Sequence, residues 1–253
     1  MVVKGLVLSA GGMFGAWQAG AWLALEKIFR PDLVVGASVG SLNGWMIACG
    51  MSAQEIVSLW SELDDLARLK WRQPLRLRTG LLDTSAIERR IQQFTADRTP
   101  QTRVGVVCVN MHPPHPVLFQ DSEITWRHLA ASCAVPLVTA PVLLGGKPYI
   151  DGGTLGPLPL WAAAKMGATR IVGIDILSPR PLALRIPQAI MRGLGSHDYQ
   201  LPAGVKLKLL GPPKLLGGWK EAASWESGRS RRWIEEGRQT AQAAAEEIRT
   251  FFQ

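Results

Sequence analysis

The chain of 253 residues has little cysteine, histidine or tyrosine. Its three cysteines, Cys49, Cys108 and Cys133, stand far apart and form no C-x-x-C pair. An odd, scattered set argues against a disulfide framework or a zinc cluster, and reads as reduced, buried thiols in a reducing compartment. The four histidines are His112, His115, His128 and His197, which leaves few candidates for an imidazole base. No apolar run reaches the roughly 18–20 uncharged residues of a membrane-spanning helix. The opening "MVVKGLVLSAGG" has one lysine and then "GLVLSA", too short for the apolar core of a signal peptide, so it reads as a first strand. With 47% hydrophobic and 19% charged residues, the composition excludes disorder and allows a substantial core. A single domain over residues 1–253, located in the cytoplasm, is the expectation.

Acidic residues are also scarce: 28 Lys and Arg stand against 20 Asp and Glu, a net charge of +8. Most of the excess lies between Arg180 and Lys220. There Arg180, Arg185, Arg192, Lys206, Lys208, Lys214 and Lys220 face one acid, Asp198. The same stretch is rich in Leu, Pro and Gly and reads as an excursion over about 178–220. Basic residues among leucines suit a lipid–water interface better than a nucleic-acid groove, which would need aromatics spaced to stack bases. A solvated basic face fits equally well. Peripheral contact with an anionic membrane is therefore an expected partner, and nucleic acid is not.

What is present alternates. "GLVLSA" and "DLVVGA" are short apolar runs of buried-strand type, each followed by glycine and then by a helical pattern, "AWQAGAWLALEKIF" and "VGSLNGWMIACG". Capping boxes at Ser52-Ala-Gln-Glu55 and Ser85-Ala-Ile-Glu88 open two more helices, the first with Ile56, Leu59, Trp60 and Leu63 inward, the second with Ile87, Ile91 and Phe94. "WRQPLRLRTGLL" reads as a basic loop between them. "RVGVVCVN", "KPYIDGG", "TRIVGIDI" and "GVKLKLL" read as strands, and "HPPHPVLFQ" as a proline-rich corner leading into another. "ITWRHLAASCA", "PLWAAAKMGA" and about 225–252 read as helices, the last packing Trp225 and Trp233 inward. Alternation of this kind predicts an α/β fold, a mostly parallel sheet between two helical layers.

Two stretches carry chemistry. "GASVG", Gly36 to Gly40, follows a strand and precedes a helix, the context of a nucleophile elbow. There small neighbours let a serine stand on a sharp turn, and Ser38 also sits at a helix N-terminus, which favours developing negative charge. The bland alternative is a Gly-rich turn with an incidental N-cap serine. "SAGGMFGAWQAG" points several N–H groups into one space. A dinucleotide fingerprint would need glycine where Ala10 stands, and a P-loop would need G-K-[ST]. The third reading is an oxyanion hole for the serine of the next strand. A serine hydroxyl also needs a base. The order Ser38, then Asp151 or Asp175, then His197 matches an α/β-hydrolase, but that fold builds several strands before its elbow and only about one precedes Ser38. Asp151 ends a strand and is followed by Gly152-Gly153. Alone, Asp-Gly-Gly is simply a turn signal.

Together these pieces resemble the patatin-like phospholipases, acyl hydrolases with a Ser–Asp dyad. Ala10-Gly11-Gly12-Met13-Phe14-Gly15 is similar to the family's Gly-rich anion loop, and Gly36-Ala37-Ser38-Val39-Gly40 to its Gly-x-Ser-x-Gly. Ala131-Ser132-Cys133-Ala134-Val135-Pro136 is similar to its A-S-x-A-x-P, and Asp151-Gly152-Gly153 to its Asp-Gly-Gly/Ala. The resemblance spans at least Gly5 to Ile176. It implies a three-layer α/β/α sandwich, Ser38 as nucleophile and Asp151 as base. It further implies an oxyanion hole from the amides of Gly11, Gly12 and Met13, a lipid acyl-ester substrate, and no metal or cofactor. The chain departs from the pattern at Ala10, where the family usually has Gly, and at Phe14, where it usually has Arg or Lys. Phe14 is thereby expected to offer apolar surface to an acyl chain. The non-enzymatic alternative is a basic, Trp-rich lipid-binding protein on a degenerate scaffold of this kind.

Overall fold

The structure is a computed structural model that describes residues 1–62, 85–178, 201–224 and 226–253, with the side chains of 85–87 left aside. Leu63, the basic loop at 71–82, residues 180–200 of the basic segment with His197, and Trp225 thus lie outside the described residues, as do the side chains of Ser85 and Ile87.

Five strands run parallel in the order β3 (Arg103–Met111), β2 (Leu33–Ala37), β1 (Lys4–Leu8), β7 (Arg170–Ile174) and β8 (Lys206–Leu210). β1, β2, β3 and β7 are almost wholly buried, as a sheet covered on both faces requires, and this is why they read as unbroken apolar runs. The proline-rich corner is a tight hairpin, and β4 (Pro114–Gln120) returns antiparallel along the outer edge of β3. Pro114 and Pro116 are tolerated on such an edge strand.

A second antiparallel pair, β5 (Val142–Leu144) and β6 (Lys147–Ile150), joins β3 at Val109 and Asn110. β4 occupies the far edge of β3 at that level, so β6 lies on the β2 side, just beyond the point where Ala37 pairs with Val107. This register carries the residue after β6, Asp151, to the residue after β2, Ser38. β5 was not anticipated from the sequence: three residues between a proline and a Gly-Gly turn carry too little periodicity.

Alternate residues supply the two faces. Leu6, Leu8, Val34, Val172 and Ile174 pack under α1 (Gly15–Leu25), α3 (Ala53–Ser61) and α8 (Ser227–Ala243). Val104, Val106 and Cys108 continue that face under α2 (Val39–Ala48), α4 (Ser85–Ala96) and α5 (Trp126–Ser132). Val7, Leu33, Val35, Val107 and Ile171 pack on α6 (Leu160–Lys165) at the other face. The architecture is therefore the expected three-layer α/β/α sandwich. Trp17 and Trp233 are fully buried where α1 and α8 meet. The helices touch backbone to backbone there: a Cβ on Gly20 would sit 1.9 Å from the Ile234 carbonyl oxygen.

The expected C-terminal helix over about 225–252 is divided into α8 and α9 (Ala245–Phe251), with a break at Ala244, and a separate short helix, α7 (Trp219–Ala223), precedes it. The break lets the last turns dock on the sheet edge, where Arg170 Nη1 donates to Phe251 O at 2.6 Å and Lys208 pairs with Glu247. The Ser52 capping box forms as expected: Glu55 N donates to Ser52 Oγ at 3.2 Å, and Ser52 N to Glu55 Oε2 at 2.8 Å.

Candidate active site

Ser38 stands between β2 and α2 with φ 53° and ψ −129°, a left-handed backbone that costs a serine free energy. The turn closes this tightly because both flanking glycines are crowded. A Cβ on Gly36 would lie 2.1 Å from Gly40 O, and one on Gly40 would lie 2.4 Å from Leu8 O, at the end of β1. The G-x-S-x-G spacing is therefore a steric requirement of threading the serine past the neighbouring strand.

Ser132 holds the turn down. Its buried hydroxyl accepts from the Ser38 amide at 2.9 Å and donates to Val107 O of β3 at 2.7 Å. The motif around Ser132 was visible in the sequence, but its role was not: nothing in one chain says which amide a serine will reach. The bond occupies the Ser38 N–H, so oxyanion donors must come from elsewhere.

Asp151 reaches the site from β6. Its amide donates to Ala134 O at 2.8 Å, and a Cβ on the following Gly152 would lie 1.9 Å from Val107 O. Its Oδ1 accepts from the Gly153 amide at 2.7 Å. Its Oδ2 is buried with no hydrogen-bond partner among the described residues. Burial pushes the carboxyl up to about 6, opposed by the Ser38 hydroxyl and the Gly153 amide. The serine is thus near enough to act on the carboxylate without completing a bond to Oδ2. An orphaned buried acceptor beside a strained serine is an arrangement that can take a proton.

Cys133 is a neighbour that sequence reading did not foresee. Its thiol lies beside the Ser38 and Ser41 hydroxyls, and the residue is half-buried. Burial, and then the Asp151 charge, push the thiol far above its usual range, so it stays neutral. Because the chain is folded here, a cysteine distant in sequence from the elbow becomes part of its wall.

The Gly-rich loop lies at the end of β1. A short 3-10 turn spans Gly12–Phe14, and the Phe14 amide closes it on Gly11 O at 3.3 Å. The amides ahead of it, on Gly11, Gly12 and Met13, are those that the start of a helical turn leaves over, and all three residues are part-exposed. Ala10, in the place of the usual glycine, is buried, and its methyl group faces Gly153. Phe14 does not offer its surface to a ligand. It is 4% exposed and meets the Trp233 ring edge-on, centroids 5.0 Å apart. The expectation of an acyl-chain contact is corrected: α8 covers the ring.

A buried amide network fixes this loop against α2. Asn43 Nδ2 donates to Gly15 O at 3.0 Å and to Gln18 Oε1 at 2.9 Å, while Asn43 Oδ1 accepts from Trp60 Nε1 at 2.9 Å. Gln18 Nε2 donates to Ser9 O at 2.8 Å, and Ser9 Oγ accepts from the Ile176 amide at 3.0 Å. Helical patterning placed Gln18 and Asn43 on helices but gave no reason for burying two amides.

The three described histidines lie elsewhere. His128 Nδ1 accepts from the Thr125 amide at 3.0 Å and its ring packs on Phe119. His115 faces Pro113 O within the hairpin, and His112 is exposed beside it. None of these three hydrogen-bonds to Ser38 or Asp151 among the described residues. Asp175, the other candidate acid, accepts from the Leu177 amide at 3.2 Å at the end of β7. No group of three or more His, Cys, Asp or Glu residues able to hold a metal occurs among the described residues. None of their helices is long and apolar enough to cross a membrane.

Comparison with known proteins bears on the family and the fold. The chain is 29% identical over 181 residues to lysophospholipase NTE1 of Debaryomyces hansenii, covering 68% of this chain and 12% of that protein. It is 28% identical over 192 residues to the mouse patatin-like phospholipase domain-containing protein 6, covering 68% of this chain and 13% of that one. The chain thus spans about an eighth of the length of these two relatives. Among solved structures, VipD from Legionella pneumophila matches with a TM-score of 0.60 at 14% identity, over 98% of this chain and 67% of that one. Human GIVD cytosolic phospholipase A2 matches at 0.52 with 12% identity, over 99% and 58%. The family model for patatin-like phospholipase matches residues 6–164, which include the Gly-rich loop, the serine turn and Asp-Gly-Gly. The chain belongs to the patatin-like phospholipase family.

Proposed function

We propose that the protein hydrolyses lipid acyl esters with Ser38 as nucleophile and Asp151 as its only base. The observation that carries the reading is the orphaned, buried Oδ2 of Asp151 beside a serine held in a strained turn. Asp151 accepts the Ser38 proton as Oγ attacks the ester carbonyl. The amides of Gly11, Gly12 and Met13 hold the oxyanion. As the tetrahedral species collapses, Asp151 returns the proton to the departing alkoxide, leaving an acyl-enzyme on Ser38. A water molecule then gives its proton to Asp151 and attacks the acyl group; the free fatty acid leaves and Ser38 regains its proton. The sequence of proton transfers closes on itself and uses no metal.

A carboxylate with an ordinary pKa would be a feeble base for a hydroxyl. Desolvation makes Asp151 a stronger one, and a value near 6 leaves it ionised at neutral pH. The substrate is a carboxylic ester of a lipid. The lysophospholipase name of the fungal relatives puts single-chain phospholipids among the esters to assay. Hydrolysis of p-nitrophenyl acyl esters tests the reading in the wild type and in Ser38→Ala, Asp151→Asn and His197→Ala. Activity is expected to vanish in the first two and survive in the third, and to survive EDTA. Loss in His197→Ala with retention in Asp151→Asn would replace the dyad with a histidine triad. A wild-type protein that neither turns over esters nor reacts with a fluorophosphonate would favour a binding scaffold.

A further inference from the structure

Exposed apolar side chains are concentrated on two segments. Val135, Leu137 and Leu143 lie between α5 and β6, and Leu215 and Trp219 lie between β8 and the first turn of α7. Both segments are tied to the site. The first is held to Asp151 by its amide bond to Ala134 O. The second meets the Gly-rich loop: a Cβ on Gly12 would lie 2.3 Å from Ala222 O of α7. The two exposed segments are thus joined directly to the stretches that carry Asp151 and the Gly-rich loop.

Their exposure is built into the fold. Leu216 is buried and its carbonyl oxygen accepts from Trp233 Nε1 at 3.2 Å, which fixes the loop with Leu215 and Trp219 outward, the latter 67% exposed. Leu137 is 86% exposed with φ 69°, a left-handed backbone that a leucine seldom adopts. Among the described residues, little packs on its side chain to offset that strain. The charge on the two segments is one-sided. Residues 135–150 contain no acid and carry Lys147; residues 201–220 contain no acid and carry Lys206, Lys208, Lys214 and Lys220. Lys214 and Lys220 are exposed beside Leu215 and Trp219. Glu221 follows in α7, with its carboxylate turned onto the Gly218 amide, and Lys208 is paired with Glu247, so the basic excess rests on Lys147, Lys206, Lys214 and Lys220. Leucine and tryptophan interleaved with lysine match a surface that is apolar just below a layer of negative charge.

We propose that these two segments seat the protein on an anionic lipid bilayer. The inference rests on the ester-hydrolase reading only for its purpose; docking is measured without turnover. The test is flotation of the full chain carrying Ser38→Ala with vesicles of phosphatidylcholine alone, or with about one-third phosphatidylserine. Binding is expected on the anionic vesicles. The triple change Leu137→Ser, Leu215→Ser, Trp219→Ser is expected to lower it at least tenfold, with the fold checked by thermal unfolding. The pair Lys214→Glu, Lys220→Glu is expected to abolish the preference for phosphatidylserine. In a chain with Ser38 intact, the triple change should leave hydrolysis of water-soluble p-nitrophenyl butyrate within twofold. Undiminished binding by the triple variant overturns the proposal. So does a dimer, seen by light scattering, that the triple change dissolves while the wild type ignores vesicles: the face would then belong to a second copy. A wild-type protein that binds vesicles through this face but hydrolyses no ester would sink the catalytic reading and leave the docking intact.

Discussion

Two buried polar clusters share α2, and they are built to opposite rules. Around Asn43, the side-chain nitrogens and oxygens of Gln18, Asn43 and Trp60 find partners near 3 Å and the helix geometry is regular. Around Ser38, at the start of the same helix, a serine takes a backbone suited to glycine and a buried carboxylate oxygen goes without a partner. The satisfied cluster costs little and holds the Gly-rich loop in place. The unsatisfied one is the place where bonds remain to be made. Buried polar groups are normally paired, so the exception marks the chemistry, and the satisfied network nearby marks what positions it.

The sharpest way to break the contrast is to remove its strained member. Ser38→Gly should abolish ester hydrolysis yet raise stability by about 1–3 kcal/mol, because glycine accepts the left-handed backbone. Parallel activity assays and urea unfolding would show it, and a loss of stability would mean the turn is not strained. Asp151→Asn is the next largest change. Losing a general base should lower kcat by about 10²–10⁴-fold. The variant should also alter stability with pH. The folded-state pKa of Asp151, about 6, lies above the roughly 3.9 of an unfolded aspartate. Its contribution is then fully present below pH about 4 and lost as pH rises through 6. The asparagine variant lacks that loss, so its advantage should grow between pH 4 and 6 toward about 3 kcal/mol and then level off. Thermal melts across that window decide it; a constant difference would mean the carboxyl is not raised.

Asn43→Ala attacks the satisfied cluster. It removes the Asn43 acceptor of Trp60 Nε1 and frees Gly15 from α2, which should cost about 2–3 kcal/mol of stability. If the network positions the oxyanion loop, kcat should fall while KM stays nearly constant. An unchanged kcat in the folded variant would reduce the network to packing. Phe14→Leu should have the smallest effect. It loses an edge-on ring contact worth about 0.5–1.5 kcal/mol and should leave acyl-chain preference alone. A changed preference would show that the ring reaches substrate after all.

Most of the sheet was legible in the sequence because its strands are buried on both faces and read as unbroken runs such as "GLVL" and "LVVGA". The serine and aspartate turns were legible because close backbone approach leaves glycine as the one residue that fits, and glycine is visible. Hydrogen bonds that join distant segments were not legible. Ser132 to the Ser38 amide spans two elements, and no local pattern encodes it. Phe14 was misjudged for the same reason: its neighbour Trp233 lies at the far end of the chain, so a residue flanked by glycines looked free when it was covered. The break at Ala244 was hidden because alanine favours helix, and the docking of Phe251 onto Arg170 that accompanies the turn is tertiary.

In the proposed dyad, Ser38 is activated by an aspartate and by no histidine. The most direct measurement is the rate at which a fluorophosphonate labels Ser38 as a function of pH, read by mass spectrometry of the Ser38 peptide. The rate should rise through an apparent pKa near 6 in the wild type, keep that profile in His197→Ala, and collapse to a flat, low level in Asp151→Asn. A profile that His197→Ala flattens and Asp151→Asn leaves in place would contradict it.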